Sequence, residues 1–100
     1  MTTDEVLPLY ERCAGVTARD LGEAVFLARD EGGAVFRGNA TVRALWHLLE
    51  TPRSEAEACA VFCEAFPEAD PEEVEDAVAE ALDDLFDHAL VLERAPAVAP

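Results

Sequence analysis

Cys59 and Cys63 come nearest to a chemical motif in this chain. Four apart, they fall on one face of a helix, and thiolates so placed hold a soft metal ion when further ligands stand close. His47 and His88 are remote from the pair in sequence and form no ligand pattern with it. The reading that fits is a pair of buried thiols, which pack as small apolar groups. Cys13 falls in an expected loop without a local base, and a nucleophilic thiol needs one. The acids of EEVEDAVAEALDD read as a solvated helix face rather than a general acid and base. The chain has no Gly-rich phosphate loop, nucleophile elbow or metalloprotease motif. The expectation is a protein that is not an enzyme, with no cofactor and no metal.

Attention therefore moves to the elements that could bind. Ala24 to Leu49 reads as a β-hairpin running into a short helix. Ala24–Asp30 and Ala34–Arg37 are apolar runs on either side of Glu31-Gly32-Gly33, a hairpin turn signature. Alternation puts Val25 and Leu27 on one face of the first run, Phe26 and Ala28 on the other. In the second, Ala34 and Phe36 share a face, and Val35 and Arg37 the opposite one. Asn39 is placed to cap a helix over about Ala40–Glu50. Val42, Leu45, Trp46 and Leu49 follow at i, i+3, i+4 and i+7, a helical apolar stripe. Pro52 ends that helix.

Ser54-Glu55-Ala56-Glu57 fits a capping box opening a second helix, with Cys59, Phe62, Cys63 and Phe66 as apolar positions and Pro67 as terminator. Asp70-Pro71-Glu72-Glu73 is a strong helix start: cap, Pro at the first position, acids on the positive end of the dipole. The third helix runs to about His88, with Val74, Val78, Leu82, Leu85 and Ala89 as its stripe and Ala77 and Ala81 as a small-residue flank. Val16–Arg19 is a third strand candidate, and Leu90-Val91-Leu92 a short final strand or apolar clip. Residues 1–15 are expected to be a flexible lead-in, residues 16–93 one domain, and residues 94–100 a disordered tail. The order implies an α+β fold: a small three-stranded N-terminal antiparallel sheet, then three helices, the content of a winged helix-turn-helix domain.

The chain has 100 residues and a formal net charge of −15. Residues 1–49 carry seven acids and five arginines, a net −2; residues 50–100 carry fifteen acids and two arginines, a net −13. So acidic a C-terminal half repels phosphate backbones and anionic membranes, and favours a neutral or basic partner. No run reaches the ~18–20 apolar residues of a membrane span, and the acidic N-terminus MTTDEVLPLYER is unlike a secretion signal. A cytoplasmic location is expected, and the odd cysteine count argues against a disulfide framework.

The stretch FLARDEGGAVFRGNATVRALWHLLETPRSEAEA, continued by FPEADPEEVEDAVAEALDDLFDHALV, resembles the PqqD-like peptide chaperones, also called RiPP recognition elements. The shared succession is a strand, a glycine turn, a strand with an aromatic (Phe36), an asparagine (Asn39) and a helix with an aromatic near its end (Trp46). A capped second helix (Ser54) and a long third helix leaving through Ala89-Leu90-Val91 complete it. It covers residues 16 to 92. Gly38 stands where the family usually has leucine, which implies a missing core contact, and Ala89 stands where glycine is usual.

The resemblance implies a binding module. It would take the leader of a ribosomally made precursor peptide and present it to a peptide-modifying enzyme such as a radical SAM protein, a protease or a cyclodehydratase. The leader would add as a strand along the hairpin edge and lie against the third helix. Carried over by position, the edge is Ala34, Val35, Phe36 and Arg37. The wall is drawn from Val74, Ala77, Val78, Ala81, Leu82 and Leu85, with Ala77 and Ala81 favoured because small residues leave a trough. Glu73, Asp76, Glu80 and Asp84 would rim it and favour a basic leader; Arg37 could pair with a leader acid. The edge-strand mode follows independently from unpaired backbone groups on a short strand. The rival readings are an assembly adaptor docking a protein in the same trough and a winged-helix DNA-binding regulator. The second helix of such a regulator should carry arginine or lysine, and here it has none. An open edge is compatible with a monomer or a homodimer.

Overall fold

The protein is described by a computed structural model over residues 8–94. The elements run β1 (Leu9–Arg12), β2 (Val16–Leu21), β3 (Ala24–Arg29), β4 (Phe36–Gly38), α1 (Ala40–Leu48), α2 (Glu55–Ala65), α3 (Pro71–Asp87) and β5 (Val91–Arg94). The fold is α+β.

The helices begin where local chemistry places them. Asn39 Oδ1 accepts from the Val42 N–H at 2.9 Å. Ser54 Oγ accepts from the Glu57 N–H at 3.1 Å, and the Glu57 carboxylate accepts from the Ser54 N–H at 2.9 Å, closing the capping box. Asp70 caps α3 through the Glu72 N–H at 3.0 Å, with Pro71 at its first turn. These bonds satisfy donors that a helix start otherwise leaves orphaned. The three helices bury Val42, Leu45, Trp46 and Leu49, Ala58 and Phe62, and Val74, Val78, Leu82 and Leu85 in one core with Val25 and Leu27 of β3, on which α1 packs directly.

The sheet departs from expectation. The strands form two sheets, β2-β3-β4 and β1-β5, rather than one three-stranded sheet. Leu9 to Arg12, expected within a flexible lead-in, pair antiparallel with Arg94 to Val91. Tyr10 also exchanges backbone bonds with Arg53, at 2.7 and 3.1 Å. Arg12 fastens β1 to the core: its guanidinium donates to the Trp46 carbonyl at 2.9 and 2.6 Å and lies 4.7 Å from the Trp46 ring centroid. Pairing between the two chain ends has no local sequence signature. Residues 1–7 and 95–100, the remainder of the expected lead-in and tail, lie outside the described residues.

The tight hairpin is β2–β3. Leu21 pairs with Ala24 across a two-residue Gly22-Glu23 loop, and Gly22 takes φ +64°, the positive value that the first position of such a turn demands. The β3–β4 connection is wider: residues 30–35 separate the strands, so β4 begins at Phe36 rather than Ala34.

Two departures from the family pattern have physical explanations. A Cβ on Gly38 would lie 2.7 Å from Val42 Cβ and 3.2 Å from Val25 Cγ1. No core contact is missing there: Val42 fills the space. At the other end, Ala89 holds φ +57°. The Leu90 N–H bonds to the Leu85 carbonyl at 2.9 Å and the Ala89 N–H to the Phe86 carbonyl at 3.0 Å. This is a Schellman motif in which alanine occupies the left-handed position that glycine takes without strain.

Two stability outcomes are expected in chemical denaturation. Ala89→Gly stabilises by about 0.5–1 kcal/mol, since relief of left-handed strain exceeds the extra unfolded-chain entropy. Gly38→Ala destabilises by about 1–3 kcal/mol through overpacking. Adding Val42→Ala recovers part of that loss, so the pair couples by roughly 1 kcal/mol rather than adding.

Candidate functional site

β4 is an edge of its sheet: it pairs only with β3, through Phe36↔Leu27, Arg37↔Phe26 and Gly38↔Val25. Its outer side presents unpaired main-chain groups among the described residues. The strand alternates as a half-covered strand should: Gly38 is buried, Phe36 half-buried and Arg37 exposed. Phe36 packs toward the end of α3, its ring centroid 4.5 Å from that of His88. His88 Nδ1 in turn lies 2.8 Å from the Asp84 carbonyl oxygen. Arg29 donates to the Ala89 carbonyl at 2.9 Å, so β3 also ties the sheet to the α3 exit.

Of the residues expected at the edge, Phe36 and Arg37 are on the strand. Ala34 and Val35 are in the preceding loop and exposed, and Gly38 takes their place in the pairing. Sequence alternation extended the strand two residues too far because apolar type alone cannot locate the turn of a glycine loop.

The wall needs a larger correction. Val78 and Leu85 have no exposed surface, and Ala81 and Leu82 keep 3% each. They are packed in the core, where α3 meets α1, α2 and β5, and do not line an open trough. Periodicity had located the buried stripe, and a stripe that is fully buried is unavailable to a ligand. Ala77 alone among the small flank residues is half-buried. With Val74 and Glu73 it lines a cavity of about 270 Å³, closed on the other sides by Ala40, Thr41 and Ala44 of α1 and by Phe62 and Phe66. These last five were not expected. Their signal was present as alanines four apart, Ala40 and Ala44, but the site is assembled from three helices and no single stretch spells it. Only Asn39 separates β4 from Ala40, so the edge strand leads to this cavity.

The acids Glu73, Asp76, Glu80 and Asp84 are all exposed on α3, and no ion pair neutralises them among the described residues. A larger cavity of about 550 Å³ lies elsewhere, lined by Pro8, Tyr10, Ala56, Ala60, Cys59, Cys63, Glu55 and Glu75. Burial there pushes the Cys59 thiol up, and Glu55, Glu75 and Cys63 push it further. That is opposite to the lowered pKa of an activated nucleophile. No helix of the described residues is long and apolar enough to cross a membrane.

A family model described as coenzyme PQQ synthesis protein D (PqqD) matches residues 23–91. A solved structure described as TbiB1 in complex with the TbiA(beta) leader peptide shares the fold, with a TM-score of 0.68 and 21% sequence identity over 90% of this chain and 99% of that one. Among curated proteins nothing matches.

Placement of the wall residues in the core has a direct consequence. Leu85→Ala is expected to cost about 2–5 kcal/mol in chemical denaturation, the range for truncating a buried leucine. Ala77→Ser, on the half-buried flank, should stay within about 0.5 kcal/mol of the parent, as surface changes do.

Proposed function

The chain belongs to the PqqD family, and from that membership we infer that it is a non-catalytic adaptor. It binds the leader of a ribosomally made precursor peptide and presents it to a modifying enzyme. The observation that carries this reading is the open side of β4, a three-residue edge strand set between a six-residue loop and a helical cavity. An extended peptide adds to such an edge by main-chain hydrogen bonds, and alternate side chains supply specificity. The leader runs beside Val35, at the end of the loop, and Phe36, Arg37 and Gly38 of β4, and along the flank of α3. One apolar leader side chain enters the cavity at Ala77 and Ala44.

The unneutralised acids of α3 favour basic residues on the leader. The protein of the same fold, TbiB1, is described in complex with a leader peptide, which supports a leader as the ligand. The receiving enzyme is of the kind that processes leader-bearing precursors: a radical SAM protein, a protease or a cyclodehydratase. The binding unit is the expected domain, residues 16–93, with β1 added, and three helices beside a small sheet are the content of a winged helix-turn-helix domain. Helix α3 opens Pro71-Glu72-Glu73, a poor recognition surface for a phosphate backbone.

The reading is tested by affinity capture of the tagged protein from its native lysate, with mass spectrometry of bound peptides. A short precursor with an N-terminal leader is expected; sequence-specific DNA as the sole ligand overturns the reading. The placement is tested with that leader and a Val35→Pro variant. The Val35 N–H has no backbone partner among the described residues, so its loss leaves the fold's own bonds intact. Leader affinity is expected to fall about fivefold, the worth of one hydrogen bond. Unchanged affinity in a folded variant moves the leader off this edge. Affinity should also fall as salt is raised, because the acidic rim is solvent-exposed.

A further inference from the structure

The sheet has a second surface that leader binding at the β4 edge does not use. Seven cationic side chains, all arginine, face twenty-two acids in this chain. Most of the arginines are committed. Arg12 and Arg53 donate to the Trp46 and Leu48 carbonyls. Arg29 holds the Ala89 carbonyl and Glu31, Arg43 sits 3.2 Å from Asp20, and Arg94 lies 3.3 Å from Glu11. Arg19 and Arg37 have neither an ion pair nor a hydrogen bond among the described residues.

These two uncommitted arginines share a row. Arg19 on β2 is directly opposite Phe26 on β3, and Phe26 is directly opposite Arg37 on β4. Residues directly opposite in a sheet project from the same face. That face is the outer one, since Val25 and Leu27, the neighbours of Phe26 along the strand, are fully buried. Phe26 is half-buried, and the Arg37 guanidinium lies 6.0 Å from its ring centroid. Two strand spacings put the arginine Cα atoms about 9–10 Å apart.

We propose that the row Arg19–Phe26–Arg37 is a docking surface for an acidic segment of a partner protein, in which an apolar side chain covers Phe26 and flanking carboxylates take the two guanidiniums. Charge complementarity selects this occupant. In a chain of net charge −15, arginines left unpaired on an exposed face meet their acids outside the chain. Guanidiniums take carboxylates through two parallel hydrogen bonds and stack on aromatic faces, so all three side chains act on one ligand. A nucleic acid offers phosphates and bases to the same row, but its polyanionic backbone must also approach the acidic helices, and the protein segment is favoured for that reason. The surface belongs to the sheet face, and the leader is held at the sheet edge.

The test uses fluorescence anisotropy of the full chain with a labelled, end-blocked Glu-Ser-Phe-Ser-Glu peptide. Alternation puts its two acids and its phenylalanine on one side of an extended backbone. Its Lys-Ser-Phe-Ser-Lys twin and a labelled oligothymidine are the comparisons. The acidic peptide is expected to bind at low salt and the basic twin not to. Arg19→Gln is expected to weaken the acidic peptide about fivefold, an exposed charge-assisted contact. Arg94→Gln, which removes the same charge from the other sheet, leaves it unchanged. Arg19→Gln also leaves leader binding unchanged, because β2 is at the far side of the sheet from the free edge of β4. No binding of the acidic peptide, equal loss in the Arg19 and Arg94 variants, or tighter binding of oligothymidine overturns the proposal. Loss of leader affinity in Arg19→Gln overturns the separation of the two surfaces.

Discussion

The close approach of Gly38 to Val42 governs the architecture. β4 turns into α1 within a single residue, and in this chain a strand residue without a side chain lets Val42 of the first helical turn settle close against the strand. Val42 then fills the volume a side chain would have taken and touches Val25 across it. The edge strand is thereby fixed to the core at its C-terminal end, while its N-terminal end emerges from a six-residue loop. One end set in the core and one reached through a loop leave the strand paired to β3, with its other side open among the described residues. Short edges of this kind also resist the uncontrolled pairing that long, flat edges invite.

Helix α3 carries two incompatible surfaces, and burial separates them. Val78, Leu82 and Leu85 sit wholly inside, where truncation leaves a cavity. The acids stand outside, where repulsion between like charges is screened by water and salt. Ala77 lies between the two and is the point at which α3 meets both the cavity and solvent. The helix is held at each end: Asp70 and Pro71 at the start, and a strained Schellman turn at Ala89 followed by buried Leu90 and Val91 at the exit. That exit directs the chain into β5, whose pairing with β1 closes the molecule.

What could be read from the sequence was local. The caps at Asn39, Ser54 and Asp70 and most of the apolar stripes are each decided within a turn or two of helix and stand where expected, whereas Phe66 and Ala89 are exposed and Cys59 and Cys63 only half-buried. What could not be read was non-local or a matter of accessibility. The β1–β5 pair joins Leu9 to Arg94, and neither segment has the alternation or turn that marks a hairpin. The cavity at Ala77 is built from three helices. The wall residues illustrate the limit best: a 3.6-residue period identifies one face of α3 without saying whether that face meets the core or a ligand. In a chain this small the core takes it, because few other apolar residues are available to make one.

The distribution of arginine sets the sheet apart from the helices. In the helical half acids stand almost alone, so its surface attracts cations without discriminating among them. Specificity requires a charge held in a defined place beside a shape. Arg12 and Arg53 spend their charge on backbone carbonyls that cap and brace the core, and Arg43 with His47 holds Asp20 of β2 against α1. These contacts orient the sheet and leave its outer face uncovered. Arg19 and Arg37 remain on that face because strand alternation turns them away from every acid that the helices present. Edge and face thus carry different groups on one small sheet: open main-chain groups along β4, and two guanidiniums without an acid partner among the described residues on either side of Phe26.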